Sequence, residues 1–203
     1  LSVHEWAHAW TARRLGDDTA ERLGRLTLNP LAHVDPIGTL LLPLLGVPFG
    51  WAKPVPVQPH RFHTRISMRT GMMLTAAAGP IANLCLAAIS IVVLAMLARF
   101  RPEVVEPGRP AGLLLQTLIF LNVVLAAFNA LPIPPLDGSR VADALVPEAA
   151  RPAWEGFCRL GPFALVAVLV LPMLAGVSLF RWPLEATQFL LQQVVTLLGG
   201  NPI

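Results

Sequence analysis

Charged residues are scarce in this chain of 203 residues. Lys, Arg, Asp and Glu together make up 13% of it, about half the share that is usual in a soluble domain. Hydrophobic residues make up 55% of the chain, and its mean hydropathy is +0.63. These values argue against a soluble globular protein and favour a protein of the lipid bilayer.

Cysteines and clustered basic residues are also scarce. Cys85 and Cys158 lie in or beside apolar stretches without metal-type spacing, and a disulfide framework would need more cysteines in a shorter chain. We interpret them as unreactive core thiols. The net charge is +3, but the arginines do not cluster among aromatic residues as a nucleic-acid surface requires. We therefore expect no disulfide framework and no nucleic-acid partner.

Three long apolar segments predict membrane-spanning helices. Residues 71–98 contain no charged side chain and exceed the roughly 20 helical residues that cross a hydrocarbon core. Residues 112–131 and 161–180 are the second and third predicted spans, the third with a kink or break at Pro172. The sequence therefore predicts an all-α polytopic membrane protein, built as a transmembrane helical bundle.

The segments outside these spans are shorter or interrupted. Residues 37–51 are rich in Gly and Pro and too short for a span, which predicts a short re-entrant or interfacial segment after the first helix. In residues 51–59, WAKPVPVQP, alternating prolines predict an extended conformation. The amphipathic tail, residues 185–200, is expected at the interface or against the bundle.

Only three residues precede the first histidine, His4, and the chain has neither an initiator Met nor a charged leader. A membrane helix around this position needs about a dozen more apolar residues upstream. We expect a first transmembrane helix truncated at its N-terminus, within one membrane-embedded domain over residues 1–203.

Residues 3–10, VHEWAHAW, place two histidines and a glutamate close together. In H-E-x-x-H on a helix, His4 and His8 share one face at i and i+4, so both reach one metal ion while Glu5 faces its bound water. Zinc lowers the pKa of such a water to about 7, and a carboxylate passes its proton to the leaving amine. A five-letter match arises by chance about as often as not, but His and Glu at membrane depth usually mark a site. The motif therefore predicts zinc-dependent amide hydrolysis.

A catalytic zinc keeps three protein ligands, so the motif needs a third. The acidic residues nearest in sequence are Glu21, Asp17, Asp18 and Asp35. Three of these lie in residues 13–25, RRLGDDTAERLGR, which has the composition of a charged, solvated turn. Asp137 is the favoured candidate, because it follows the second span through the proline-rich break in residues 128–140.

The distribution of basic residues supports Asp137. Lys and Arg favour the cytoplasmic side of a membrane. Residues 9–70 carry eight of them, Arg13, Arg14, Arg22, Arg25, Lys53, Arg61, Arg65 and Arg69. If residues 9–70 lie in the cytoplasm, the span 71–98 crosses the membrane to the outside and the span 112–131 crosses back. The loop between these spans is then outside, although it carries Arg99, Arg101 and Arg109. Asp137 then lies on the same cytoplasmic side as the two histidines.

The motifs HEWAH (4–8) and NALPIPPLDG (129–138) together resemble the paired signature of the site-2 protease family of intramembrane zinc metalloproteases. AAGPIAN (77–83) and GRLTLNPLAHVDPIGTLLLP (24–43) resemble its compact bacterial and archaeal members, without a PDZ domain. The resemblance runs from residue 1 to about residue 145. It implies a transmembrane helical core, a zinc site in the cytoplasmic part of the membrane, and cleavage of single-span membrane proteins.

By the same resemblance, His4 and His8 match the two histidine ligands of one Zn²⁺ per chain, and Asp137 matches the aspartate ligand. Glu5 matches the catalytic glutamate. Asn129 matches an asparagine near the zinc, where its amide would donate to an oxyanion; on general grounds, interhelical packing is equally compatible.

Three further polar residues keep two interpretations each. Asn83 is interpreted mainly as a packing residue one turn after Gly79, with a role in shaping the site as the alternative. His33 and Asp35 form either an interfacial turn, which we favour, or an outer shell around the metal. Residues 51–59 serve either as an edge for an unwound substrate or as a semi-rigid connector.

The leading hypothesis is an intramembrane zinc metalloendopeptidase in a prokaryotic plasma membrane, with its site toward the cytoplasm. The alternative is a membrane protein of the same fold that binds metal or holds substrates without turnover. A zinc transporter is disfavoured because residues 71–98 and 161–180 contain no His, Asp or Glu. The oligomeric state is left open.

Overall fold

The computed structural model describes residues 1–35, 38, 44, 52–106, 108–176 and 181–197. Within these residues the regular structure is helical, without a strand. The α-helices are α1 (Ser2–Arg14), α2 (Thr19–Arg22), α3 (Met68–Phe100), α4 (Pro102–Val105), α5 (Pro110–Asn129), α6 (Asp137–Leu145), α7 (Arg151–Arg159), α8 (Gly161–Leu174) and α9 (Arg181–Leu197). Short 3₁₀ helices cover Pro30–His33, Pro59–Arg61 and Glu148–Ala150. This architecture confirms the predicted all-α class.

The long helix α3 is the centre of the bundle. It begins at the N-cap Ser67, whose hydroxyl oxygen accepts a hydrogen bond from the Thr70 N–H, and its 33 residues extend about 50 Å. The helices α1, α5, α6 and α9 all pack against it. Both α3 and α5 are long and apolar enough to cross a membrane, in agreement with the first two predicted spans.

The third predicted span differs from the structure. Helix α8 ends at Leu174 after 14 residues, which corresponds to about 21 Å and is short for a bilayer core. The helical stretches Glu148–Arg159 and Gly161–Pro172 are together long and apolar enough to cross a membrane, but they are bent by 66° where they join. The predicted kink or break at Pro172 therefore differs from the structure, because Pro172 lies within α8 and the sharp bend comes before Gly161. Residues 177–180 lie outside the described part, as does most of the predicted re-entrant segment at 37–51.

Between α3 and α5 lies a core of apolar side chains, Ala87, Ile91, Leu94, Val105, Ile119 and Val123. Helix α9 adds Leu191 and Val194 to it, so this part of the predicted amphipathic tail packs against the bundle. Other apolar side chains on the two spans point outward, among them Ile81, Ile89 and Leu114, as is expected of surfaces in contact with lipid. Cys85 is also exposed, so its prediction as a core thiol is wrong.

The extended segment between α1 and α3 is fixed at both ends by buried side chains. Arg25 donates to the carbonyl oxygens of Lys53 and Pro54, and the Lys53 N–H donates to the carbonyl of His33. At the other end, the Asp17 carboxylate accepts from the Gln58 N–H at 2.6 Å. Asp17 is fully buried, so its placement in a solvated turn is wrong. Its contacts explain the burial, because its other oxygen accepts from the backbone N–H of Thr19.

Helix α6 is held at both ends against the helices that carry the rest of the site. At its C-terminal end, the Arg69 guanidinium of α3 donates to the carbonyl oxygens of Asp143 and Val146. At its N-terminal end, a Cβ on Gly138 would lie 2.3 Å from the carbonyl oxygen of Ala130. Glycine at 138 therefore allows α6 to start in contact with the end of α5, which fixes the position of Asp137.

Candidate metal centre

Helix α1 places His4 and His8 one turn apart, and both are buried. Their Nε2 atoms lie 3.0 Å from each other. The Oδ2 atom of Asp137 lies 3.1 Å from the His4 Nε2 and 3.3 Å from the His8 Nε2. Within the described residues, these three form the one group of His, Cys, Asp or Glu side chains with a metal-binding arrangement. The structure thus brings together the three residues that the sequence predicted as ligands.

The dimensions of this triangle fit a tetrahedral metal ion. Zinc bonds to nitrogen and oxygen are about 2.0–2.2 Å long, so two tetrahedral ligands stand about 3.3 Å apart. The three measured edges are 3.0 to 3.3 Å. Three ligands on one side leave a fourth tetrahedral position open, as catalytic zinc sites do.

The chemistry of the donor atoms also fits a cation. The other ring nitrogen of His8, Nδ1, lies 2.7 Å from the Thr75 carbonyl oxygen. Since a carbonyl only accepts, Nδ1 carries a proton, and in the neutral ring Nε2 is then a lone pair. That lone pair faces the Asp137 carboxylate, and two electron-rich atoms repel each other at this distance. Their approach is favourable only when a positive charge lies between them. The residues present therefore fit a divalent metal with His and carboxylate ligands.

Asp137 is ready to act as a ligand. It is the first residue of α6, where the partial positive charge of the helix N-terminus favours an acid. Burial by itself raises the pKa of Asp137, but positive charge held at the His4 and His8 rings outweighs this effect and lowers the pKa to about 2. The carboxyl group is therefore ionised, as metal binding requires.

One side of the site is formed by three residues of α3 that are spaced four apart, Thr75, Gly79 and Asn83. Thr75 contacts His8 through its carbonyl oxygen, and the Asn83 side chain contacts His4. A Cβ on Gly79 would lie 2.4 Å from the Nε2 of His8 and 2.6 Å from the Cε1 of His4. Glycine is needed there because the imidazoles lie directly against the α3 backbone. Asn83 thus shapes the site as well as packing between helices.

Glu5 is buried and is oriented by a backbone group of the extended segment. Its Oε2 atom accepts a hydrogen bond from the Val55 N–H at 3.1 Å. Prolines occupy positions 54 and 56, so Val55 supplies the only backbone N–H of that tripeptide. A carboxylate has two oxygens with about four acceptor positions, so Oε1 stays available to accept a proton. The sequence contained the proline pattern but no sign of this contact.

Asn129 lies at the end of α5, and its side-chain Nδ2 donates to the Leu125 carbonyl of the same helix at 3.0 Å. It lines a largely apolar cavity of about 760 Å³ between α3, α5, α6 and α9, together with Asp137. Asn129 is therefore near the ligand Asp137 but is not one of the three clustered side chains. Its predicted role as an oxyanion donor stays a prediction.

The other acidic candidates have different partners. Glu21 pairs with Arg13 at the surface, and Asp18 pairs with Arg22 and Arg61. Asp35 accepts from the Gly38 N–H, and the His33 Nε2 lies 2.8 Å from the carbonyl of Thr27. The last two contacts agree with the turn that we favoured for His33 and Asp35.

Comparison with known proteins identifies relatives of this chain. The sequence profile of Peptidase family M50 matches residues 108–172. The chain is 40% identical over 186 residues to "Putative zinc metalloprotease YwhC" of Bacillus subtilis (strain 168), across 91% of this chain and 81% of that protein. It is 34% identical over 171 residues to "Putative zinc metalloprotease Rip2" of Mycobacterium tuberculosis (strain ATCC 25618 / H37Rv), across 84% of this chain and 62% of that protein.

A protein of the same name from Mycolicibacterium smegmatis (strain ATCC 700084 / mc(2)155) is 35% identical over 190 residues, which cover 91% of this chain and 67% of that protein. No solved structure matches the chain significantly. The apolar helices agree with an integral membrane protein. On the strength of the identity to YwhC and the profile match, the chain belongs to peptidase family M50, the site-2 protease family.

Proposed function

We propose that this protein is an intramembrane zinc metalloendopeptidase, which hydrolyses peptide bonds of membrane-spanning proteins. The observation that carries the proposal is the buried triangle of the His4 Nε2, the His8 Nε2 and the Asp137 Oδ2. Membership of peptidase family M50 supports it, as do the names of the relatives, which describe them as zinc metalloproteases.

Each residue around the triangle has a distinct role in this proposal. His4, His8 and Asp137 hold one Zn²⁺, which when bound supplies the Lewis acidity that brings the pKa of a water to about 7. Glu5 is the general base: its Oε1 accepts the proton of the attacking water and passes it to the departing amine. The Val55 N–H holds the other carboxylate oxygen and so fixes the direction in which Oε1 points. Asn129 supplies an amide N–H to the developing oxyanion.

The position of the site supports a membrane-spanning substrate. Thr75 and Asn83, which contact the two histidines, lie 7 and 15 residues into the span α3 from Met68, or about 10 and 22 Å along its axis. The apolar cavity that Asp137 lines is bordered by small side chains, including Ala77, Ala88 and Ala126. A substrate segment with an apolar surface would therefore contact apolar side chains beside Asp137. We propose single-span proteins as substrates. The Val55 N–H and the carbonyls of Lys53 and Pro54 already have partners within the protein, which favours a connector over a substrate edge at these residues.

The charge distribution supports an orientation, and the bacterial relatives support a membrane. The basic residues between α1 and α3 favour the cytoplasmic side, and Asp137 follows the return of α5. We propose a prokaryotic plasma membrane with the metal centre toward the cytoplasm.

Metal removal tests the function directly. Protein purified in detergent and placed in liposomes with a model single-span substrate should cleave that substrate. It should lose cleavage after treatment with a zinc chelator and regain it when zinc is added back. Liposomes without the protein control for spontaneous hydrolysis. Cleavage that persists in metal-free protein would contradict the proposal, and zinc binding without cleavage of any substrate would favour a protein that only holds its partners.

Replacing Val55 with proline tests how Glu5 is oriented. Proline keeps the extended backbone between Pro54 and Pro56 but removes the N–H, so cleavage is expected to fall roughly 10- to 100-fold, the cost of a small misplacement of a catalytic group. Zinc content should not change. Val55→Ala, which keeps the N–H, is the matched control, and equal rates for the two variants would show that the hydrogen bond plays no part.

A further inference from the structure

Asn83 is the buried polar side chain of α3 that contacts a metal ligand. It is 0% exposed, and its Nδ2 lies 3.1 Å from the Nδ1 of His4. Its Oδ1 is buried and has no hydrogen-bond partner within the described part of the chain. A buried acceptor without a donor is unfavourable, so the orientation of this amide needs a physical explanation.

The two orientations of the amide have opposite consequences for His4. When Nδ2 faces His4, the imidazole Nδ1 must accept, and the ring proton then sits on Nε2, where it points into the ligand triangle. When the amide is rotated by 180°, Oδ1 accepts from the Nδ1–H of His4 and the buried acceptor is satisfied. The Nε2 is then a lone pair, as metal binding requires. The oxygen and nitrogen of an amide have nearly the same shape, so both orientations fit the same space.

We propose that Asn83 is a positioning residue of the metal centre, whose Oδ1 accepts a hydrogen bond from His4 and thereby fixes the tautomer and the direction of that ring. This inference rests on the proposed metal site. The Thr75 carbonyl serves His8 in the same way, at 2.7 Å from its Nδ1. The two contacts differ in kind: the partner of His8 is a backbone group, whereas the partner of His4 is a side chain that substitution can remove.

The geometry of α3 explains why a side chain serves one histidine and the backbone the other. Thr75, Gly79 and Asn83 follow one face of the helix at steps of four residues, opposite His8 and His4 on α1. At Gly79 the imidazoles lie against the α3 backbone. Asn83 lies one turn further along, beside His4, and its side chain reaches the outer ring nitrogen.

The test measures zinc affinity by competition with a chelator, in protein purified in detergent. Removal of a hydrogen-bond partner of a metal-binding histidine typically weakens metal binding 10- to 100-fold. Asn83→Leu, which has a similar size but no acceptor, should therefore weaken zinc binding by about that factor. Asn83→Asp supplies an acceptor in the same place and should keep zinc affinity within a few-fold of the wild type. If Asn83→Leu does not fold, Asn83→Ala removes the same acceptor.

Asn122 provides a matched control. It is also a buried asparagine in a membrane span, but among the described residues its Nδ2 donates to the Leu118 carbonyl of its own helix α5 and not to a metal ligand. Asn122→Leu should leave zinc affinity unchanged. Equal weakening by Asn83→Leu and Asn122→Leu would overturn the proposal in favour of general packing. Weakening by Asn83→Asp as large as that by Asn83→Leu would overturn the role of the oxygen acceptor.

Cobalt substitution gives a readout that is independent of proteolysis. The visible absorption bands of Co²⁺ depend on how its ligands are arranged, so Asn83→Leu should shift them while Asn83→Asp and Asn122→Leu leave them in place. An unchanged spectrum in Asn83→Leu would contradict the inference. Both measurements need a bound metal but no proteolysis, so they test this inference independently of the proposed peptidase activity. A wild type that binds no zinc would overturn the metal site itself.

Discussion

Asp137→Ala is expected to lose zinc and proteolysis together. Asp137 is the only one of the three clustered side chains that does not come from α1, and its Oδ2 contacts both histidines. Without it, two imidazoles on one helical turn remain, and a catalytic zinc site needs three protein ligands. Elemental analysis of the purified protein should fall from about one zinc per chain to almost none, and cleavage of the model single-span substrate should stop.

The controls for this variant are the acidic residues that sequence spacing also offered as ligands. Glu21→Ala removes an exposed carboxylate that pairs with Arg13, and Asp35→Ala removes one that accepts from the Gly38 N–H. Both variants should keep their zinc. If Asp137→Ala keeps zinc while one of these two loses it, the third ligand is elsewhere and the proposed topology is wrong.

Glu5→Gln is expected to keep zinc and to lose proteolysis. Glutamine has nearly the same shape as glutamate, and its side-chain oxygen can still accept from the Val55 N–H. It cannot take a proton at neutral pH, so general-base catalysis is removed, which is typically worth 10²–10⁴-fold in rate. Zinc content measured beside the cleavage rate should therefore separate this variant clearly from Asp137→Ala.

Glu106→Gln makes the same substitution at an exposed position between α4 and α5 and should cleave at the rate of the wild type. A Glu5→Gln protein with wild-type cleavage would assign the proton transfer to another group. Loss of zinc from Glu5→Gln would mean that this residue holds the ligands in place rather than acting on the substrate.

The local features of the site were predictable because they depend on short stretches of sequence. His4 and His8 share a face wherever residues 2–14 are helical, and α1 covers those residues. The spans α3 and α5 follow from long apolar runs that need no tertiary information. The bend at the start of α8 was harder to place, because the sequence pointed to Pro172, which lies within the helix, whereas the sharp bend occurs earlier, between Arg159 and Gly161.

By itself, the sequence determined the helical class, the two long spans and the pair of histidines with Glu5 between them, since each depends on composition or on a spacing of a few residues. The sequence also favoured Asp137 as the third ligand, and the structure brings it to the histidines. Only the tertiary structure decided that Asn83 and Thr75 contact the outer nitrogens of the histidines, and that the Val55 N–H holds Glu5. These partners lie 50 to 79 residues away along the chain. Two of the three contacts are made by backbone groups, which every residue except proline carries alike, so no residue type marks them in the sequence.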